Sequence, residues 1–499
     1  MFDTIPDMAA KRAELSPEAT AFIDMGTGRQ WSFAQIEAEV GRIAAGLVTE
    51  LGLAPGDRLG VLCHNRAEFF ILLMACQRAG VILAPLNWRQ PPAELAPVAQ
   101  QIGLRHLLHD APCAATAESL AATLGLQTVA FDGPAYAALR SHPPLPPRMV
   151  DATKPWYLLF TSGTTGTPKA VIQTARMCWA NTVNIGQAIG LTGADTSVNF
   201  LPLFHTAGIN LYTMPLFLSG GRSHIFPKFE PADLLALLAQ GEITQFFGVP
   251  AIFQAFSLSA DMAQVDWSAL RMGCGGAPLP EPLIQVFAER GCLICNGFGM
   301  TETGPTAFLM DAASAARKIG SVGKAQMLTE VRLDGVAQGE TGAGEVQMRG
   351  PAITPGYFEN AEATQAAFTP DGWLKSGDIA QRDREGYYAI VDRIKDMFIS
   401  GGENVYPAEV ERVLNHHPDV LEAAVIGVPD AQWGEVGAAY LIPRAGRTPD
   451  LAALPGWCRE RLAAYKIPKS FTLVEDLPRT AAGKVRKPDL KDLHKCPNP

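Results

Sequence analysis

The densest concentration of chemistry in the sequence lies between Phe160 and Val171, in the run FTSGTTGTPKAV. Thr161, Ser162, Thr164, Thr165 and Thr167 offer five hydroxyls within seven residues. Gly163 and Gly166 let the backbone turn so that several N–H groups converge on an anion. Lys169 adds a cation at the end, and the preceding LLF reads as a strand leading into the turn. Many donors, little bulk and one positive charge are what a triphosphate requires. A solvated Ser/Thr/Gly loop would leave the fixed spacing of two glycines and the Pro-Lys end unexplained. The run is not a Walker loop, because G-x-x-x-x-G-K-[ST] is absent from it. Nor is Ser162 a hydrolase nucleophile, since G-x-S-x-G needs glycine where Phe160 stands.

The elements that must position this loop have an α/β rhythm. Residues 35–50 carry apolar positions at helical spacing behind an entry cap at Trp31-Ser32. GDRLGVLCHN reads as a turn and a short strand, AEFFILLMACQRAG as a buried helix closed by Gly80, and VILAPLN as a second strand. The pattern recurs to residue 310 and predicts largely parallel sheets. From Val322 to Arg349 short strands and glycine turns predict a small β-rich subdomain. The charged run Asp392–Asp396 breaks the pattern, and a new rhythm starts at VYPAEVERVLN. The predicted division is a large domain over 1–394 and a small α+β domain over 395–499.

At 499 residues the chain is too long for one ordinary core. Its net charge of −9 argues against a duplex DNA partner, which needs a basic surface. Acidic residues dominate Asp396–Pro443 and basic ones dominate Arg444–Pro499, so the C-terminal end can meet a polyanionic small molecule, although a solvated face is the simpler reading of that charge. Nine scattered cysteines make no disulfide framework, and Cys292 and Cys295 read as strand residues rather than a zinc or redox pair. The N-terminus has no signal-peptide core, and the most apolar run, Phe69–Cys76, is too short to span a membrane. A cytoplasmic location and no membrane span are the expectation.

With these residues in view, the sequence resembles the adenylate-forming superfamily of acyl- and aryl-CoA synthetases, peptide-synthetase adenylation domains and firefly luciferase. The likeness runs in the family's motif order from GDRLGVLCHN to PRTAAGKVRK, nearly the whole chain. It implies ATP, Mg²⁺ and coenzyme A as the small molecules handled. Thr161 to Lys169 matches the family's phosphate loop. His205 in LPLFHTAG matches a residue lining the acyl pocket, with Gly248 and Val249 as further pocket wall; on composition alone it is a packed core histidine. Gly275, Gly276, Ala277 and Pro278, with Asn296, Gly297, Phe298, Gly299 and Met300, resemble the adenine shelf. There the Phe298 ring can stack on the base, Thr301 can donate to the α-phosphate, and Glu302 can hold the metal.

The resemblance further implies that Asp378 and Arg393 contact the ribose, that Lys395 is the hinge and that Lys484 is the catalytic lysine. Gly401, Gly402 and Glu403 in SGGENVYP match the strand beside the pantetheine tunnel, with Trp433 flanking it. Three departures concern fine positioning: Phe298 for tyrosine, Asp392 for glycine and Arg479 for lysine. The implied activity is an acid–CoA ligase that releases pyrophosphate, forms an acyl-adenylate and passes the acyl group to CoA. A stand-alone enzyme loading a carrier-protein thiol is the alternative, which the absence of a following carrier domain and the SGGENVYP form disfavour. A luciferase-like oxygenase is weaker, with HKCPNP lacking a peroxisomal Ser-Lys-Leu tail, and a nucleotide sensor is weaker, since Lys484 and Glu302 are both present. A homodimer stays open. No arginine lies in His205–Asn210, Gly248–Phe253 or Met300–Pro305, which favours a monocarboxylic fatty or aryl acid over a dicarboxylic one.

Overall fold

The computed structural model describes residues 3–161, 168–277, 279–480 and 484–495. Two largely parallel sheets form the body. One has six strands in the order Lys169–Thr174, Pro155–Thr161, Ile82–Pro85, Arg58–Leu62, His106–His109 and Gln127–Ala130. Only its first pair is antiparallel. The second has nine strands, with a parallel centre of Ile294–Phe298, Arg271–Cys274, Gln245–Gly248, Thr196–Asn199, Arg222–Ile225 and Thr20–Asp24. Crossover helices cover the faces, as parallel strands require.

The helices begin and end where local chemistry dictates. Phe33–Thr49 starts at Ser32, whose hydroxyl accepts from the Gln35 N–H while Gln35 returns the bond to the Ser32 N–H. Ala67–Ala79 is buried throughout except for half-buried Glu68 and stops at Gly80. The two pack side by side in the largest core cluster, with Phe22, Phe33, Phe70 and Phe217 in ring contact.

Beyond the body, an antiparallel sheet joins Glu330–Leu333, Gly342–Arg349, Leu374–Arg382 and Tyr388–Arg393. It is larger than the predicted 322–349 subdomain. Its last two strands carry Lys375, Asp378, Arg382 and Asp392, and these charges hide the alternation. A turn over 394–396 separates it from a five-stranded sheet that begins at Phe398. That sheet is built on the long hairpin Val420–Asp430 and Gly434–Pro443, backed by the helix Pro407–Asn415. Its two faces carry separate apolar clusters. Cys295 lies in a strand, whereas Cys292, also read as a strand residue, is buried just before it. Among the described residues no helix is long and apolar enough to cross a membrane.

Candidate active site

The strand Pro155–Thr161 and the strand Lys169–Thr174 are register partners, with Thr161 opposite Lys169. These two strands, the pair at one edge of the six-stranded sheet, flank the candidate phosphate loop. Ser162, Gly163, Thr164, Thr165, Gly166 and Thr167 lie outside the described residues, as does Pro278. At the base of the hairpin the Lys169 ammonium sits 5.0 Å from the centre of the Tyr357 ring. The Tyr357 hydroxyl donates to Glu302 Oε1 at 3.0 Å. Glu302 is only 5 % exposed. Its burial raises the carboxyl pKa, against the Tyr357 hydrogen bond and the charges of Lys169 and Arg393. A buried carboxylate with no ion pair among the described residues is a place for a hard cation.

Glu302 and Thr301 occupy a short helical turn held from two sides. Gln173, next to the hairpin, donates to the Thr301 carbonyl at 2.9 Å, and the Thr354 N–H donates to the Glu302 carbonyl at 2.8 Å. Before this turn comes the strand Ile294–Phe298, which carries Asn296, Gly297 and Phe298 beside the strand ending at Cys274. Phe298 is half-buried and tilts against Phe308 at 5.9 Å.

Asp378 and Arg393 are direct register partners in the antiparallel sheet, and Arg393 Nε donates to Asp378 Oδ1 at 3.2 Å. Burial raises the Asp378 pKa, while Arg393 and Lys484 pull it down. Lys484 arrives from the far end of the chain. Its Cε lies 3.7 Å from the point where a Cβ on Gly276 would stand. Burial and the nearby Arg393 push its ammonium down to about 8, opposed by Asp378 and Glu302. Ala481, Ala482 and Gly483 lie outside the described residues. The same ammonium acts on His205, whose burial and cationic neighbours, Lys484 and Arg89, take it to about 4. His205 Nε2 is buried without a protein hydrogen bond, and the lowered pKa leaves the ring neutral near pH 7.

The structure thus brings together Lys169, Glu302, Asp378, Arg393, Lys484, Gly276, Val249 and His205. Val249 lies 3.6 Å from the same Gly276 point. Gly401, Gly402 and Trp433 form a second cluster. Both glycines have positive φ, 60° and 87°, and Trp433 packs directly over Gly401 while its carbonyl accepts the Gly401 N–H at 2.9 Å. Trp433 is 41 % exposed, Glu403 is exposed, and so is Lys395 in the turn between the two sheets.

Two residues escaped the sequence reading, and a third was noted there only as a departure from the family pattern. Tyr357 belongs to no periodic pattern, and only its place against Lys169 and Glu302 gives it a role. Arg89 comes from another loop, over the Trp88 and Phe204 rings at 4.9 and 6.0 Å, so the pocket region is not without arginine as its three segments suggested. Asp392 is a buried cap: its Oδ2 accepts the Ala408 N–H at 2.8 Å at the start of helix Pro407–Asn415. Phe253 packs in the core against Phe246 and Phe287, with its ring 3.1 Å from the Cβ position of Gly248. Arg479 pairs with Glu422 at 2.6 Å.

A two-part site on two α/β sheets and a small C-terminal sheet defines an adenylate-forming enzyme. The chain belongs to the AMP-binding enzyme family, whose model matches residues 9–358, followed by the AMP-binding enzyme C-terminal domain over 409–484. It is 40% identical over 488 residues to a feruloyl-CoA synthase of Amycolatopsis sp, covering 96% of this chain and 97% of that one. A long-chain-fatty-acid–CoA ligase of Mycobacterium tuberculosis is 32% identical over 507 residues, covering 99% of each. Among solved structures, o-succinylbenzoate CoA synthetase from Bacillus subtilis with its acyl-adenylate intermediate matches with a TM-score of 0.88 at 31% identity, covering 98% of each chain.

The lowered Lys484 pKa gives a testable pH profile. Below about pH 8 the ammonium is charged and can meet two anions; above it the charge is lost. In acid-dependent pyrophosphate exchange, kcat/KM should fall as pH rises through about 8, with no inflection from His205 between pH 5 and 8. A profile flat or rising to pH 9.5 would contradict this.

Proposed function

We propose that the protein is an ATP-dependent acid–CoA ligase that acts on a monocarboxylic fatty or aryl acid. A carboxylate is a poor electrophile because its leaving group would be oxide. Attack of its oxygen on the α-phosphorus of ATP releases pyrophosphate and turns that oxygen into part of AMP, a far better leaving group. Two anions must meet for this step, so pre-positioned cations carry most of the catalysis. Lys484 bridges the carboxylate and the α-phosphate, and Lys169 faces the departing pyrophosphate. Asp378 and Arg393 hold the ribose, and Thr301 donates to the α-phosphate. Mg²⁺, when bound at Glu302, supplies charge neutralisation at the phosphates. The observation that carries the reading is Lys484 lying against Gly276, beside Asp378, Arg393 and Glu302.

In the second step a thiol attacks the acyl carbon and AMP leaves. The lysine loop occupies the approach, so residues 395–499 rotate about Lys395 and bring Gly401, Gly402 and Glu403 to the site with Trp433 beside them. The turn over 394–396, exposed at Lys395, which joins the four-stranded sheet to the five-stranded one, supports this. Incubation with ATP, acid and free CoA should yield AMP and acyl-CoA. Turnover only with a carrier protein would instead make the enzyme a carrier-loading ligase. Lys395→Pro fixes φ at the hinge and should leave adenylate formation intact while slowing thioester formation. Equal loss of both in a folded variant would place the rotation elsewhere.

A further inference from the structure

The helix Pro407–Asn415 belongs to the C-terminal domain, yet its first turn is capped from the large one. Tyr406, at its cap position, makes no side-chain hydrogen bond, and the Ala408 N–H goes instead to Asp392 of the strand Tyr388–Arg393. Asp392 stands before Lys395 in the chain, so it stays with the large domain when the C-terminal domain turns. Glu411 follows Ala408 by three residues and lies on the same face of the helix. Its Oε1 accepts the Val425 N–H at 2.8 Å, which fixes the carboxylate. The same oxygen meets the Lys487 ammonium at 2.8 Å. Lys487 opens the last helix, Lys487–Lys495, three residues beyond Lys484.

Two carboxylates from opposite sides of the hinge thus share one ammonium. Asp392 is 6 % exposed, and the Lys487 and Glu411 side chains keep only 14 % and 18 %. Burial lowers the Lys487 pKa, but Glu411 and Asp392 outweigh it and raise the ammonium above its ordinary value. Burial pushes the Asp392 carboxyl up to about 6 against the pull of Lys487, and Glu411 adds to the rise. Without the ammonium, Asp392 and Glu411 would face each other as uncompensated buried charges. Rotation about Lys395 carries Glu411 and Lys487 away together and leaves Asp392 behind. The shared cluster therefore exists only while Lys484 is in the site.

We propose that Lys487 is a positioning residue for the first half-reaction: its ammonium, shared between Asp392 and Glu411, holds the C-terminal domain where Lys484 reaches the nucleotide. The assignment rests on the acid activation and domain rotation proposed above and adds a second lysine that acts through the first. Exchange follows the fraction of enzyme in this arrangement, and thioester formation follows the fraction that has rotated. The ratio of the two rates therefore reads the equilibrium between them.

The test measures acid-dependent pyrophosphate exchange with octanoate and cinnamate, and transfer to CoA from octanoyl- and cinnamoyl-adenylate. It compares the wild type, Lys487→Met, Lys487→Arg and the double variant Lys487→Met/Asp392→Asn. Lys487→Met keeps a long side chain and removes its charge. It should lower the ratio of exchange to transfer by about ten- to a hundredfold, less than for a fully buried pair because both partners keep some exposure. Transfer at or above the wild-type rate reports that the variant is folded. Lys487→Arg should hold the ratio near that of the wild type. Asp392→Asn in the methionine background removes the facing charge and should restore most of the ratio, which a merely structural lysine would not allow. A ratio unchanged in Lys487→Met, an equal loss of both half-reactions, or a loss that Asp392→Asn does not relieve overturns the role of Lys487 and leaves acid activation standing. Absence of exchange with both acids in the wild type overturns both.

Discussion

Lys484→Ala should lower acid-dependent pyrophosphate exchange by about a hundred- to a thousandfold, the ordinary effect of deleting one pre-positioned donor to a transition-state charge. The expectation follows from the position of the ammonium rather than from its charge alone. The side chain reaches Gly276, feels Asp378 and Glu302, and lies near neutral His205, so it is held where carboxylate and α-phosphate would meet. Burial has already lowered its pKa to about 8, which shows that the site desolvates it and waits for anions to stabilise the cation. Supplied with pre-formed acyl-adenylate, the same variant should make acyl-CoA at near the wild-type rate, because the lysine has left the site by then. A single rapid-quench experiment on each half-reaction measures both. Intact exchange would make Lys484 an ordinary surface lysine, and loss of both steps would remove the rotation from the mechanism.

Asp378→Ala should weaken ATP binding by about ten- to a hundredfold without changing which acid is chosen. A hydrogen bond to a charged group contributes about 1.5–3 kcal/mol, and a buried carboxylate can accept from both ribose hydroxyls. Two further effects act in the same direction. The variant leaves Arg393 without its 3.2 Å partner across the strand pair, and it removes a negative charge that favours the Lys484 cation. Titration calorimetry with ATP, alongside the acid ranking by exchange, separates nucleotide from acid effects. Wild-type ATP affinity in the variant would take Asp378 out of the ribose site.

The division between what was legible in the sequence and what was not follows the distance over which each feature is encoded. The Lys169 hairpin, the Thr301–Glu302 turn and the Gly275–Gly276 floor are local, so their composition already announces an anion site. Asp378 and Arg393 were linked by the resemblance alone, and the antiparallel pairing that sets them opposite one another could not be read from the sequence. The four-stranded sheet was underread because charged residues occupy its strands through 374–393. Tyr357 and Arg89 carry no pattern at all: each matters only through what a remote element lays against it, Glu302 and His205 respectively. Asp392 illustrates the reverse case, a departure from the family pattern whose reason is visible only as a cap on a helix that begins at Pro407.

The central claim is that a carboxylic acid is activated as its adenylate before CoA takes part. Isotope exchange between labelled pyrophosphate and ATP, run without CoA and with or without an acid, tests it most directly. The account predicts exchange that requires both the acid and a divalent metal, with CoA converting the accumulated adenylate to AMP and thioester. Exchange that proceeds without any acid, or ATP consumption that yields ADP and phosphate instead, would contradict it.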